Sequence, residues 1–391
     1  MKFSLTTALG TLVCLFVLSS CLKDEVDVRV THYTDEELQT LQQYLTLPSY
    51  RDNYAVELAE HLKNIGATPP VLNDAKATLG RVLFYDTKLS LTQETSCASC
   101  HDQALAFSDN KAFSEGINGQ FTKRNSLPLA SAANFQASYD TGPSFGRSIG
   151  FFWDERATTI SGQSELTIED DIEMGMDLDE LTVRLSNEDY YQILFRKAYG
   201  DEVVTKQRIL SAIEEFVNAF VSTSSPFDEG MNNAGSVHQE FDNFTIQENR
   251  GKELFLNNCA SCHASDMSSP IGQSVANNGL DLVYEDKGMG ELAGETSLNG
   301  VFKVPFLRNI ELTGPYMHDG RFETLEEVIE HYSTGIQDHP NLSPQLKTLA
   351  GGEPRQFFFT EQEKSDLVAF LKTVTDPSFA EDVRYSDPFK Q

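Results

Sequence analysis

The chain has 391 residues, enough for two domains of ordinary size, with 40% hydrophobic and 23% charged residues. This composition is typical of a globular protein and excludes a disordered or fibrous one. The formal net charge of -29 repels phosphate backbones, so we expect no nucleic-acid partner, whereas a basic redox partner would be attracted.

The N-terminus resembles a secretory leader. Lys2 supplies a positive charge, residues 12–18 form a short apolar run, and two serines precede Cys21. The run is too short to remain as a membrane span. Leu-Ser-Ser-Cys also matches a bacterial lipobox. We therefore expect residues 1–20 to be a lipoprotein signal peptide and Cys21 to carry the lipid. The protein would then be exported and anchored to a membrane, facing the periplasm. The acidic residues after Cys21 resemble a signal for the outer cell surface.

Three segments follow the leader. We predict an N-terminal helical extension over 21–70, a first domain over 71–230 and a second domain over 237–391, joined by a stretch rich in Gly, Asn and Ser. Strand-like alternation is sparse, and apolar residues recur at helical spacing, for example Ile209, Ile213, Phe216, Val217 and Phe220. The pattern indicates an all-α fold.

Four of the six cysteines form two C-x-x-C-H motifs, and the other two belong to the leader. On a helix, two thiols at this spacing can form thioethers to the vinyl groups of a porphyrin, and the histidine then ligates the iron. A four-thiolate zinc site would leave both histidines unexplained, and a thioredoxin-like motif would need a βαβ pattern. We therefore predict two covalently bound c-type haems, held by Cys97, Cys100 and His101 and by Cys259, Cys262 and His263.

Each motif follows a similar short helical run, 77–86 before the first and 250–255 before the second. Both runs contain an aromatic residue shortly before the cysteines. The repetition predicts an internal duplication, with two cytochrome c-like domains that each carry one haem.

Further motifs lie between and beyond the haem motifs. Residues 152–156 read Phe-Trp-Asp-Glu-Arg and contain the only tryptophan, and Gln163 and Glu173 follow at ten-residue intervals. Residues 313–322 read Thr-Gly-Pro-Tyr-Met-His-Asp-Gly-Arg-Phe. With these motifs, the chain from about 79 to 371 closely resembles the bacterial di-haem cytochrome c peroxidases and their relative MauG.

The resemblance implies roles for three of these side chains. The haem on His101 would react with peroxide, with Gln163 orienting the peroxide and Glu173 moving its proton. Trp153 would lie between the haems and help electrons cross. Without the resemblance, a solvated charge and a packed core tryptophan are the alternatives for Glu173 and Trp153.

The resemblance also implies a calcium ion between the domains. Asn125 and the backbone carbonyls of Thr313 and Pro315 match the family's site, and calcium prefers such oxygens. A plain turn is the alternative.

Two departures from the peroxidase pattern concern the far sides of the haems. Residues 113–119 lack the histidine that in many of these peroxidases blocks the first iron, so we expect that haem to be open without prior reduction. Tyr332 occupies the position of the peroxidases' methionine, as in MauG, and a phenolate stabilises higher oxidation states. His331 is the rival ligand, but helix neighbours point about 100° apart, so only one can face the iron. Further alternatives are Met289 and Met317.

Three functions remain open from the sequence. The first is a peroxidase that reduces hydrogen peroxide with electrons relayed from the second haem, supplied by a partner such as a small cytochrome. The second is a MauG-like oxidase that uses a bis-high-valent di-haem state to oxidise a protein or small molecule. The third is a non-enzymatic electron-transfer cytochrome. The sequence also leaves a homodimer open.

Overall fold

The described structure is mostly helical. In the described residues the one sheet pairs β1 (Val275–Ala276) antiparallel with β2 (Phe302–Lys303). The predicted signal peptide and Cys21 lie outside the described part of the chain. The structure is a computed structural model that describes residues 32–50, 52–130, 150–265, 267, 274–349 and 352–390.

The helices divide into two groups along the chain. The first half contains α1 (Asp35–Leu41), α2 (Glu60–Asn64), α3 (Asp74–Tyr85), α4 (Ile160–Glu169), α5 (Leu178–Ser186), α6 (Asp189–Tyr199) and α7 (Lys206–Val217). The second half contains α8 (Pro226–Ala234), α9 (Ile246–Asn258), α10 (Met289–Ala293), α11 (Leu325–Glu330), α12 (Glu361–Lys372) and α13 (Pro377–Glu381).

Helix α9 shows how local sequence positions a haem motif. The Thr245 hydroxyl accepts from the Glu248 backbone N–H, and the Glu248 carboxylate accepts from the Thr245 N–H at 2.6 Å. This capping box satisfies backbone donors that the first helical turn leaves unpaired. The helix then ends with Cys259 as its C-cap, so the first cysteine of the second motif lies at the helix terminus.

The same helix crossing occurs in both halves. Helix α3 crosses α7 at Gly80, where an added Cβ would lie 1.9 Å from the carbonyl oxygen of Ala212. Helix α9 crosses α12 at Gly251, where a Cβ would lie 1.9 Å from the carbonyl oxygen of Asp366. Only glycine permits so close a backbone approach. The repeated contact confirms the predicted internal duplication.

An aromatic pair lies four residues beyond each crossing. Phe84 and Phe216 have ring centroids 5.5 Å apart, and Phe255 and Phe370 have centroids 5.1 Å apart. All four rings are buried, and each pair belongs to the apolar core of its own half. Each half thus has a helical core that packs against the first cysteine of its haem motif. This confirms the predicted all-α fold class.

The C-terminal segment returns to the first core. Phe379 and Tyr385 are buried there, and Phe389 packs against the same core beside Tyr190. The Tyr385 hydroxyl donates to the Ala219 carbonyl at 2.7 Å. The predicted second domain, 237–391, therefore contributes its last aromatic residues to the core of the first half.

The N-terminal extension joins both halves. Among its described residues only α1 and α2 are helices. His61 in α2 contacts a buried carboxylate oxygen of Asp228 at 2.8 Å, and Asp228 also accepts from both terminal nitrogens of Arg308, at 2.8 and 2.9 Å. Across the ranges that the structure describes, no helix is both long enough and apolar enough to span a bilayer.

The Gly80 crossing predicts the result of a Gly80→Ala substitution. A new methyl group would meet a backbone carbonyl that cannot rotate away, so the helices must separate, at a cost of about 1–3 kcal/mol in the free energy of unfolding. Urea unfolding of the holoprotein measures the change. Gly162→Ala in α4 is the matched control, because the nearest neighbour there is the Thr159 hydroxyl at 3.1 Å, and it should be close to neutral. Equal losses in both variants would contradict this interpretation.

Candidate active site

His101 is held by its ring nitrogen Nδ1. This atom lies 2.7 Å from the carbonyl oxygen of Phe107 and 3.3 Å from the hydroxyl oxygen of Ser126. Because a carbonyl can only accept, Nδ1 carries the proton and Nε2 keeps its lone pair for a metal. Burial lowers the pKa of His101, which also favours the neutral ring. The residue has the tautomer and orientation that a haem ligand needs.

The second motif repeats this arrangement. Nδ1 of His263 lies 3.2 Å from the carbonyl oxygen of Pro305, and burial lowers the pKa of His263 to about 4. Burial raises the pKa of the Cys97 and Cys259 thiols to about 12, and all four motif cysteines are free of disulfides. Nowhere in the described ranges do three His, Cys, Asp or Glu side chains converge as a metal site, so the zinc alternative fails. The residues fit one haem c at each motif.

The first motif opens into a large cavity, which we call the main cavity. Its volume is about 1310 Å³. Its lining brings together predicted site residues from different parts of the chain. These are the haem-motif residues Cys97, Cys100 and His101, together with Trp153, Gln163 and Glu173.

Helix α4 directs Gln163 into the main cavity. The helix begins at Thr159, whose hydroxyl accepts from the Gly162 backbone N–H at 3.0 Å, and it packs against α7. Positions three and four apart share one helix face. The cavity-facing positions follow this spacing and are Ile160, Gln163, Ser164, Thr167 and Ile168.

Glu173 lies in the turn that connects α4 to α5. Its backbone N–H donates to the Asp170 carboxylate at 3.1 Å, and a close backbone contact between Ile172 and Gly116 fixes the turn. Burial raises the pKa of Glu173 above its ordinary value of 4.5, while a hydrogen bond from Thr167 and the charge of Arg156 oppose the shift. Because its pKa is raised, this half-buried carboxyl group accepts a proton more readily than an exposed one, so it can both take and give back a proton.

Residues 113–119, in which we expected no histidine to block the first iron, border the same cavity. Phe113, Ser114 and Gly116 line it. Among the described lining residues, the histidines are His101 and His318. The ring of His318 is buried in a stack with Phe302 at a centroid distance of 3.7 Å.

Trp153 is connected to the first motif by hydrogen bonds. Its indole Nε1 donates to the backbone carbonyl of Asn125 at 2.9 Å. The next residue, Ser126, donates its hydroxyl to the Cys100 carbonyl at 2.8 Å and lies beside the His101 ring. The Trp153 indole therefore bonds to the residue directly before Ser126, and the Ser126 side chain contacts His101.

Trp153 is also connected to the second motif. Its carbonyl oxygen accepts from the Lys303 backbone N–H at 2.7 Å. Lys303 is the last residue of strand β2 and precedes by two positions Pro305, whose carbonyl contacts His263. The structure thus places Trp153 between the two motifs. The sequence analysis did not identify Lys303, although a lysine inside the apolar run 301–306 was the available signal.

Tyr332 lies at the second motif. It belongs to a π-helical turn, His331–Gly335, a feature found often at functional sites. Burial raises the pKa of Tyr332 to about 12, and the Cys259 and Cys262 thiols are near enough to contribute.

Two of the three rival ligands of the second haem have partners at Asn278, whose side chain also bonds to Tyr332. The His331 ring nitrogen Nε2 lies 3.1 Å from the backbone carbonyl of Asn278, and the Met317 sulfur accepts from the Asn278 amide at 3.5 Å. Met289 is buried at the start of α10. The arrangement favours Tyr332.

One of the residues expected to bind calcium, Asn125, is bonded to the loop that contains the other two. The Asn125 backbone N–H donates to the His318 carbonyl at 2.8 Å, which joins it to the loop that contains Thr313 and Pro315. The Asn125 side-chain amide donates to the Lys111 carbonyl at 2.9 Å. Amide and carbonyl oxygens suit a hard cation.

Comparison with known proteins agrees with this geometry. A family model for the di-haem cytochrome c peroxidases matches residues 74–236, and one for cytochrome c matches residues 248–375. The methylamine utilization protein MauG of Methylorubrum extorquens is 31% identical over 314 residues, 78% of this chain and 79% of that protein. The chain belongs to the di-haem cytochrome c peroxidase and MauG family. The enzyme class and the two c-type haems are thereby confirmed.

Two further relatives represent the peroxidase and the MauG-like branches. The cytochrome c551 peroxidase of Nitrosomonas europaea is 31% identical, with 81% of this chain and 84% of that protein covered. A solved structure of a MauG-like protein associated with microbial copper homeostasis has a TM-score of 0.67 at 30% identity, covering 88% of this chain and 98% of the other.

The position of Glu173 predicts a pH-dependent reaction with peroxide. The carboxylate must be unprotonated to accept a proton, so the rate should rise with pH through an ionisation above 4.5. In Glu173→Gln the rate should fall about 100- to 10,000-fold and lose this ionisation. Stopped-flow mixing of the oxidised protein with peroxide measures both. Glu169→Gln is the control, because Glu169 is exposed and does not line the main cavity. If both variants retain the wild-type profile, Glu173 is not the base.

Proposed function

We propose that this protein reduces hydrogen peroxide at the haem held by His101, with electrons relayed from the haem held by His263. The observation that carries the proposal is the main cavity, in which His101, Gln163, Glu173 and Trp153 meet. The third sequence expectation, a non-enzymatic electron carrier, is not supported, since the relatives are peroxidases and MauG.

The chemistry requires proton movement within a confined site. Each peroxide takes up two electrons and two protons and gives two molecules of water. The haem, when bound, supplies the iron at which peroxide is reduced. The Gln163 amide orients the peroxide by hydrogen bonds, and Glu173 takes the proton from one peroxide oxygen and gives it to the departing oxygen.

Electrons reach the main cavity through Trp153 in this proposal. Its hydrogen bonds to Asn125 and Lys303 connect it with both histidine sites and keep the indole in one orientation. The electron donor is an external redox protein. A net charge of -29 favours a small basic cytochrome, because opposite charges accelerate encounter.

The placement of Tyr332 favours a second candidate function. A phenolate ligand on the second haem lowers its potential and helps the protein to keep oxidising equivalents, as a MauG-like oxidase of a protein or small molecule would require. The relative associated with microbial copper homeostasis is itself MauG-like.

A Tyr332→Met substitution distinguishes the two functions. A thioether in place of the phenol should raise the potential of the second haem, increase steady-state peroxide turnover with a reduced cytochrome, and shorten the lifetime of the peroxide-oxidised protein. Spectroelectrochemistry and stopped-flow absorption measure these quantities. His331→Gln is the control, since it can keep the bond to Asn278. An unchanged potential in Tyr332→Met would show that Tyr332 is not the ligand, and rapid cytochrome turnover by the wild type would favour the peroxidase.

We propose that the protein is an exported lipoprotein anchored through Cys21 and facing the periplasm. The support is the leader over 1–20 and the lipobox that ends it. The acidic residues after Cys21 extend the proposal to the outer cell surface.

We propose a calcium ion at Asn125, Thr313 and Pro315. Its support is the family resemblance and the bond that joins Asn125 to the loop containing the other two residues. An ion there would stiffen the boundary beside the Trp153 hydrogen bond.

A further inference from the structure

Lys303 places a buried charged group on strand β2, whose backbone bonds to Trp153. Its side chain is 7% exposed, and its ammonium donates to the backbone carbonyl of Gly150 at 2.6 Å. The ring of Phe306 lies 5.9 Å away. A buried ammonium costs free energy unless hydrogen bonds and an opposite charge compensate it, so its presence in an apolar run requires an explanation.

The ammonium closes the turn that carries Trp153. Residues 150–157 form this turn, in which Phe151 donates its N–H to the Ala157 carbonyl at 2.7 Å. Phe152 and Glu155 have positive φ angles of 65° and 53°. These left-handed conformations are strained for residues with a side chain and need support from surrounding contacts. Lys303 provides two, through its backbone N–H to Trp153 and its ammonium to Gly150.

Glu155 supplies the opposite charge. It is 5% exposed, and one of its carboxylate oxygens accepts from the Ser274 hydroxyl at 3.3 Å. Burial lowers the pKa of Lys303 to about 8, and the charge of Glu155 opposes this shift. The Lys303 ammonium and the Glu155 carboxylate are thus buried groups of opposite charge that interact with each other.

Lys303 is close in sequence to a residue that positions the ligand of the second haem. Lys303 precedes by two positions Pro305, the residue whose carbonyl holds His263. Charges interact more strongly in a protein interior than in water, so a buried positive charge favours the added electron on a neighbouring redox group.

We propose that the buried Lys303 ammonium raises the reduction potential of the haem held by His263, and that Glu155 limits this effect. Lys303 touches neither peroxide nor iron, so it acts through the field of its charge. The inference rests on the proposed role of the second haem as electron relay. Its test uses no peroxide, so failure of the peroxidase proposal would be recognised separately.

The experiment is a spectroelectrochemical titration of the holoprotein, at a pH well below 8, for four variants. Lys303→Gln removes the positive charge and should lower the potential of the second haem. Glu155→Gln removes the negative charge and should raise it. Lys303→Arg keeps the charge and should stay near the wild type, and the double variant should lie between the two single variants.

Opposite shifts are the decisive result, because general damage to the Trp153 turn would move the potential in the same direction in both single variants. The haem held by His101 should shift less. Shifts of one sign in both variants, or no shift in Lys303→Gln with full haem content, would overturn the proposal. If Lys303→Gln does not fold with both haems, Glu155→Gln and Lys303→Arg still test the proposal. Glu155→Gln should change the potential of the second haem, and Lys303→Arg should not.

Discussion

Two hydrogen bonds, one from each motif histidine to a backbone carbonyl, fix the geometry on which both sites depend. His101 bonds to Phe107 and His263 to Pro305. Each bond fixes the tautomer and directs Nε2 to the haem side. The acceptors are themselves fixed, since the Phe107 ring stacks in the first core and Pro305 lies two residues after the end of the strand that bonds to Trp153. Core packing therefore decides where each ligand points.

The two motifs have identical sequences, Cys-Ala-Ser-Cys-His, yet their surroundings differ. His101 faces a large cavity with a half-buried carboxyl group and a glutamine on its walls. The second motif faces a phenol whose pKa is raised by burial. We propose that Glu173 transfers protons beside one iron and that Tyr332 gives up its proton when it ligates the other, which makes the two sites chemically unequal. This division lets one site break peroxide while the other supplies or keeps charge.

The sequence predicted those features that short-range spacing encodes. The C-x-x-C-H motifs, the helical periodicity and the repeated run before each motif identified two haem domains, because thioether spacing and helix periodicity are local. Gln163 and Glu173 became candidates through a family resemblance, since nothing in their spacing alone distinguishes them from solvated residues. The structure brings them to one cavity with His101.

The rest depended on contacts between distant segments. Lys303 and Gly150 are 153 positions apart, and Tyr385 and Ala219 are 166 apart. Such pairs follow from how helices and strands pack, which periodicity does not specify. For this reason the buried lysine and the return of the C-terminal segment to the first core were not predicted.

We propose above all that the haem on His101 is open and that the haem on His263 is closed by Tyr332. Low-temperature EPR of the fully oxidised holoprotein, before any reductant or peroxide is added, tests this claim most directly. We predict one high-spin haem with a free coordination position and one low-spin, six-coordinate haem, with only the latter changed by Tyr332→Met. A spectrum in which both haems are low-spin and six-coordinate would contradict it.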